Sequence, residues 1–241
     1  MAHRNSSELA RKLVAEGLGT AFLLATVVGS GIMAERLAEG NSAVALLANA
    51  IATGAGLIAL ILVFGPVSGA HFNPVVTLAG AMMRAISWKL VPGYVIMQIL
   101  GAFVGVGIAN IMFELPVFFV SDHVRAGAGQ YFSEFVATFG LLSVILSCAR
   151  HYPTWVPAAV GAYITAAYWF TSSTSFANPA VTLARTISDT FAGIYPGNVP
   201  AFIIAQLAGM TGAVVFFRWL MPAPADNPTT NYQPSVEHNR E

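Results

Sequence analysis

From Asn41 to Met83 the chain carries no Asp, Glu, Lys or Arg. A helix that crosses the ~30 Å hydrocarbon core of a bilayer needs about 20 apolar residues. The run is too long for one such span and too short for two with a connecting loop. One full span followed by a shorter element that stays inside the membrane satisfies it. The shorter element begins at Asn73-Pro74. Asn is a favoured N-cap because its side-chain oxygen accepts from free N–H groups of the first turn, and Pro suits the first helical position, where no N–H is needed. Pro74 to Met83, just before Arg84, is ten residues, about 15 Å of helix at ~1.5 Å per residue. That is half the core. Backbone groups left open at such a depth are tolerated only where they are buried in protein or line a watery cavity.

The same helix start is written twice. "NPVVTLA" (73–79) returns as "NPAVTLA" (178–184), 105 residues later and identical at six of seven positions. The second element reads as a half-helix running to about residue 191. "EGLGTAFL" (16–23) is echoed by "EFVATFGL" (134–141), and "QILGAFVG" (98–105) by "QLAGMTGA" (206–213). Full spans are expected at about 12–34, 43–64, 89–113, 131–149, 154–172 and 199–220. The fold class is therefore an all-α membrane protein of six transmembrane helices plus two re-entrant half-helices. It forms one channel-like domain over 1–222, with repeats at about 8–113 and 130–220. Three full spans per repeat is an odd number, so the second copy enters from the opposite side, the inverted-repeat plan of many transport proteins.

Composition agrees. Hydrophobic residues make up 56% and charged residues 9%, against about 25% charged in a soluble domain. The formal net charge is zero, so no basic stripe points to nucleic acid. A single cysteine, Cys148, leaves no intrachain disulfide framework and no Cys-rich metal site. No cleaved signal peptide is read at the N-terminus, and the polar tail 223–241 reads as a disordered cytoplasmic extension. With the N-terminus inside, Arg4, Arg11, Lys12, Arg84, Lys89, Arg150, Arg218 and Arg240 fall on the inner side, and Arg36, Arg125 and Arg185 on the outer. The excess puts both termini in the cytoplasm, in a multi-pass cell-membrane protein.

Inversion makes the two half-helices meet N-terminus to N-terminus near the midplane. Each end carries roughly half a positive charge, so the pair repels cations at the narrowest region. Asn73 and Asn178, with their oxygens used in capping, keep amide N–H groups to offer a passing neutral solute. Glu16 and Glu134 are intramembrane acids, costly unless satisfied. They are expected to accept from backbone N–H groups of the loops that precede the half-helices. His71 either donates into the pore or packs as a loop histidine.

These motifs, with "SGAHFNP" (68–74) the most specific, resemble the aquaporin and aquaglyceroporin (major intrinsic protein) family over about 1–220. The resemblance implies a pore per subunit, a homotetramer, no cofactor, and midplane residues Asn73, Pro74, Val75, Asn178, Pro179 and Ala180. Val75 replaces the usual alanine. The resemblance also implies an outer selectivity filter, carried over by spacing to Thr53, Ala166, Ser175 and Val181. A one-residue shift would substitute Thr165 or Ala167 for Ala166. The family's filter arginine directly follows the second motif; here that position is Val181. Arg185, one turn further on, is expected to face the outer vestibule. Four small uncharged side chains imply a wide filter, suited to glycerol, urea and metalloid hydroxides such as arsenous acid. The alternatives are a primarily water-conducting pore or a coupled secondary transporter. No Ser-His-Asp group, His-rich cluster or phosphate-binding loop lies at membrane depth, so the chain is not read as an enzyme and no metal is expected.

Overall fold

The computed structural model describes residues 2–222, with side chains from Ser7 onward; the tail expected at 223–241 lies outside the described residues. Eight α-helices follow in order: α1 (Ala2–Leu37), α2 (Ser42–Ser68), α3 (Pro74–Met82), α4 (Val91–Met112), α5 (Ala128–His151), α6 (Val156–Phe170), α7 (Pro179–Ala184) and α8 (Val199–Leu220). The polar N-terminal stretch is helical too, its exposed face carrying an i,i+4 pair between Lys12 and Glu8 at 2.7 Å. Helices α1, α2, α4, α5 and α8 are long and apolar enough to cross a membrane. Helix α6 is shorter than the span expected there, 15 residues, preceded by a single 3-10 turn at Pro153–Trp155.

Within each repeat the first helix packs against the last: α1 on α4, and α5 on α8. Helices α2 and α6 join the halves. Small residues allow the close approaches. A Cβ on Gly101 would collide with the backbone carbonyl of Gly17, and one on Gly161 with the side chain of Ile58 and the carbonyl of Gly54. Membrane helices gain no hydrophobic drive from meeting one another, so close van der Waals fit between small residues carries much of their association.

The half-helices α3 and α7 are capped as the sequence predicts. Asn73 and Asn178 are both extended, at φ −158° and −159°, with Pro at the first helical position. The second half-helix is shorter than expected. Helix α7 ends at Ala184, and one 3-10 turn follows to Ile187. The carbonyls of Thr186 and Ile187 accept instead from the N–H groups of Ser121 and Phe119, at 2.9 and 3.1 Å. Pairing with the loop between α4 and α5 thus takes the acceptors that a continuing helix would need.

Candidate solute pathway

The two asparagines tie the half-helices together. Asn73 Oδ1 accepts from the N–H of Val75 at 3.0 Å. Asn178 Oδ1 accepts from Ala180 at 3.0 Å and Val181 at 3.3 Å. Asn73 Nδ2 donates to the Ala177 carbonyl at 2.7 Å, and Asn178 Nδ2 to the Phe72 carbonyl at 2.8 Å. Each amide has two N–H groups, so one is spent across the interface and the other makes no such bond. From sequence alone both N–H groups of each amide look free. Val75 is fully buried and packs with Ala79, Leu142 and Met210; its extra bulk faces the α5–α8 side, away from the cavity.

The loops before the half-helices repeat one backbone shape. Gly69, Ala70 and Phe72 have φ of 90°, 50° and 49°; Thr174, Ser175 and Ala177, 105 positions later, have 61°, 51° and 46°. Left-handed backbone at non-glycine residues costs on the order of 1–3 kcal/mol each and persists only where the surroundings enforce it. Two fully buried glutamates supply that enforcement. Glu16 Oε1 accepts from Ser68 Oγ and the His71 N–H, at 2.6 and 2.9 Å, and Oε2 from the Phe72 N–H and Gln98 Nε2, at 2.8 and 2.7 Å. Glu134 accepts from the N–H groups of Phe176 and Ala177, at 2.9 and 2.8 Å, and from Gln206 Nε2 at 2.7 Å. Gln98 and Gln206 also donate to Thr77 and Thr182 of the half-helices, both at 2.9 Å. The sequence reading missed these glutamines. Their place at the head of the "QILGAFVG" and "QLAGMTGA" repeats was the signal. His71 lines the cavity, with Nδ1 3.1 Å from Thr77 Oγ1.

A cavity of about 270 Å³ runs past both asparagines. Its wall is mainly apolar, with Leu23, Val27, Leu57, Leu141 and Val160 among its residues; Thr53, His71, Tyr168, Ser175 and Arg185 supply polar groups. Thr53, Ser175 and Val181, the positions carried over from the resemblance, line it and are all buried. Ala166 does not. It lies exposed on the outer face of α6, while Val156, Val160, Ile164 and Tyr168 present an i,i+4 row to the cavity. Thr165 turns toward α2, its hydroxyl set between the carbonyls of Gly161 in its own helix at 2.9 Å and Ala50 of α2 at 3.4 Å, and Ala167 is fully buried without lining the cavity. Tyr168 is the residue that spacing missed. Its hydroxyl lies 3.3 Å from Thr53 Oγ1, so the expected four-residue filter without an aromatic becomes a wall with one.

Arg185 also departs from expectation. Instead of facing an outer vestibule it is 3% exposed and lines the cavity together with Val181. Its Nε donates to the Ala192 carbonyl, and its guanidinium carbon lies 3.4 Å from the centre of the Phe176 ring. Arg125, from the α4–α5 loop, lies 5.1 Å from the same ring and is held by the carbonyls of Gly193 and Phe191, at 2.7 and 3.1 Å. In that loop, burial pushes the His123 imidazole below its ordinary range; Arg125 and Arg185 add to the effect and Asp189 opposes it.

Residues 3–175 match the Major intrinsic protein family. Aquaglyceroporin AqpS of Rhizobium meliloti is 52% identical over 214 residues, covering 89% of this chain and 91% of that protein. The chain belongs to the major intrinsic protein family. Its similarity extends to Aquaporin NIP3-1 of Oryza sativa subsp. japonica, 32% identical over 86% of this chain and 68% of that one. Among solved structures, the aquaglyceroporin from Plasmodium falciparum superposes with a TM-score of 0.69 at 21% identity, over 87% of this chain and 95% of the other. Within this major intrinsic protein the family match stops at Ser175, before the second motif. There the internal symmetry takes over: the Asn178 cap and the Glu134 bonds reproduce those of Asn73 and Glu16.

Proposed function

We propose that this major intrinsic protein is a passive channel of the aquaglyceroporin type, conducting small uncharged solutes larger than water: glycerol, urea and undissociated metalloid hydroxides such as arsenous acid. The observation that carries this reading is Val181. At the position where the family places an arginine, a buried, uncharged side chain lines the cavity. Val supplies neither the guanidinium's five donors nor its fixed charge. The facing wall offers hydroxyls from Thr53, Tyr168 and Ser175, an apolar and a hydroxylated side suited to a polyol. The names of two similar proteins support the same class: Aquaglyceroporin AqpS, and the Probable glycerol uptake facilitator protein of Thermotoga maritima, 33% identical over 55% of this chain and 62% of that one.

In this reading Asn73, Pro74, Val75, Asn178, Pro179 and Ala180 form the midplane, and Thr53, Tyr168, Ser175 and Val181 the outer filter. Glu16, Glu134 and His71 support the pore loops. The channel is a cell-membrane homotetramer with cytoplasmic termini and needs no cofactor, metal or catalytic group. One observation favours a primarily water-conducting pore instead: the Tyr168 hydroxyl reaching Thr53 narrows the wall at that level. Stopped-flow permeability of proteoliposomes decides. Glycerol, urea and arsenous acid flux well above empty vesicles is expected, whereas water flux alone would establish the narrower pore.

A further inference from the structure

We infer that Arg185 is the cation-rejecting residue of the outer pore, so that the charge missing at position 181 is restored one helical turn away. The inference rests on the channel reading above and adds a specificity-determining residue to it. Arg185 sits at the end of α7, yet its side chain turns back into the wall that Ser175, Asn178 and Val181 also line. Among the described residues no carboxylate lies within 4.0 Å of it. The exposed loop acid Asp189 accepts from Ser121 Oγ and the Asp122 N–H at 3.3 and 3.1 Å, and the buried Glu134, whose charge acts on Arg185 from further off, is committed to the N–H groups of Phe176 and Ala177 and to Gln206. The Arg185 charge is therefore not neutralised by an ion pair.

Its position is fixed by two contacts. Nε is held by the Ala192 carbonyl. The guanidinium lies on Phe176 at 3.4 Å, a cation–π arrangement strengthened where water is excluded. The Phe176 ring is braced edge-on by Phe202 at 5.2 Å, and its N–H is bound by Glu134. Arg125 behind the same ring adds a second positive charge of like effect. Ser175 Oγ, buried without a hydrogen-bond partner, lines the same cavity as Arg185, so a neutral solute's oxygens meet donors from both residues. A cation meets only repulsion. Because α7 has six residues, its helix dipole is short, and a full side-chain charge in a poorly screened wall outweighs it.

The test measures sodium leak and water flux in the same proteoliposomes. In R185Q the sodium-to-water flux ratio is expected to rise about tenfold, the effect of one unit charge at pore distance in a partly screened medium. R185M, whose thioether keeps contact with Phe176, is read in the same way if R185Q does not yield folded protein. R185K keeps the charge and is expected to stay within about twofold of wild type, since the repulsion is the same unit charge. An unchanged ratio in both neutral variants would overturn the inference, as would an R185K leak equal to that of R185Q, because lost packing and not lost charge would then be responsible. Wild-type vesicles lacking water and glycerol flux would overturn the channel reading itself, an outcome the sodium arm alone cannot produce.

Discussion

Asn73 reaches across the molecule to the carbonyl of Ala177, donating at 2.7 Å to a residue 104 positions away. The bond joins two loops that the sequence presents only as similar, and Asn178 returns it to Phe72. The two pore loops are one hydrogen-bonded unit, and loss of either asparagine should be felt in both.

Asn178→Ala removes the acceptor for Ala180 and Val181 and the donor to Phe72. A lost N-cap costs ~1 kcal/mol, and a lost hydrogen bond about as much again. Roughly 2 kcal/mol of destabilisation is expected, visible as a lower thermal midpoint in detergent, together with reduced glycerol flux. An unaltered midpoint would show that the cross-loop bond contributes nothing.

Glu134→Ala should be more severe. It strands the N–H groups of Phe176 and Ala177 and the amide of Gln206, each buried donor costing ~1–3 kcal/mol when left unmade. Loss of folded protein, or of flux in what remains, is the expected outcome. If the glutamates act only as loop anchors, solute flux in the wild type will also be indifferent to an imposed pH gradient; gradient-driven accumulation would make them relay residues.

Val181→Arg places a fork of donors and a charge in the cavity wall. Glycerol and urea permeability should fall by at least about tenfold, a barrier increase of ~1.4 kcal/mol, with a smaller loss of water flux. Tyr168→Phe removes the hydroxyl that meets Thr53 and is expected to raise the ratio of urea to water flux. A Val181→Arg channel with the parent's solute range would place that residue away from the constriction.

Helix contact can be tested with two glycines. Gly101→Val drives a side chain into the Gly17 carbonyl of α1; overpacking of this kind costs typically 1–3 kcal/mol or more. Gly212→Ala, inside α8 with its new Cβ meeting only Phe139 and Phe135 at ordinary contact distances of 3.5 and 3.8 Å, should be neutral or stabilising by up to about 1 kcal/mol, the helix-propensity gain. Thermal midpoints of the two variants should therefore move in opposite directions.

His123 gives a pH dependence. Its folded-state pKa is depressed below 6.5, first by burial, then by Arg125 and Arg185. Between that value and the unfolded one the unfolded chain binds more protons, so stability falls as the pH drops below about 6.5. The wild-type midpoint should fall more than that of His123→Asn between pH 7.5 and 5.5. Equal losses would show that His123 is not the group responsible.

Much of this molecule was fixed by local chemistry and could be read directly. Asn-Pro caps both half-helices because an acceptor side chain followed by a residue lacking an N–H satisfies a helix start wherever it occurs. The doubled motif with an odd number of spans forces inversion, and a buried acid in an apolar helix must find donors. Those donors were expected in the pore loops, and Glu16 and Glu134 find them there. What the chain order could not convey was rotation and loop path. A one-residue shift turns an α-helix by about 100°, so only the packing of α6 against α2 and α5 decides that Tyr168, and not Ala166, faces the cavity. Likewise, Arg185 looks like an outward residue at a helix end until the loop through Ala192 and the ring of Phe176 turn it inward. Sequence determined which residues cap the two half-helices; tertiary contacts between distant segments decided which side chains complete the cavity wall around them.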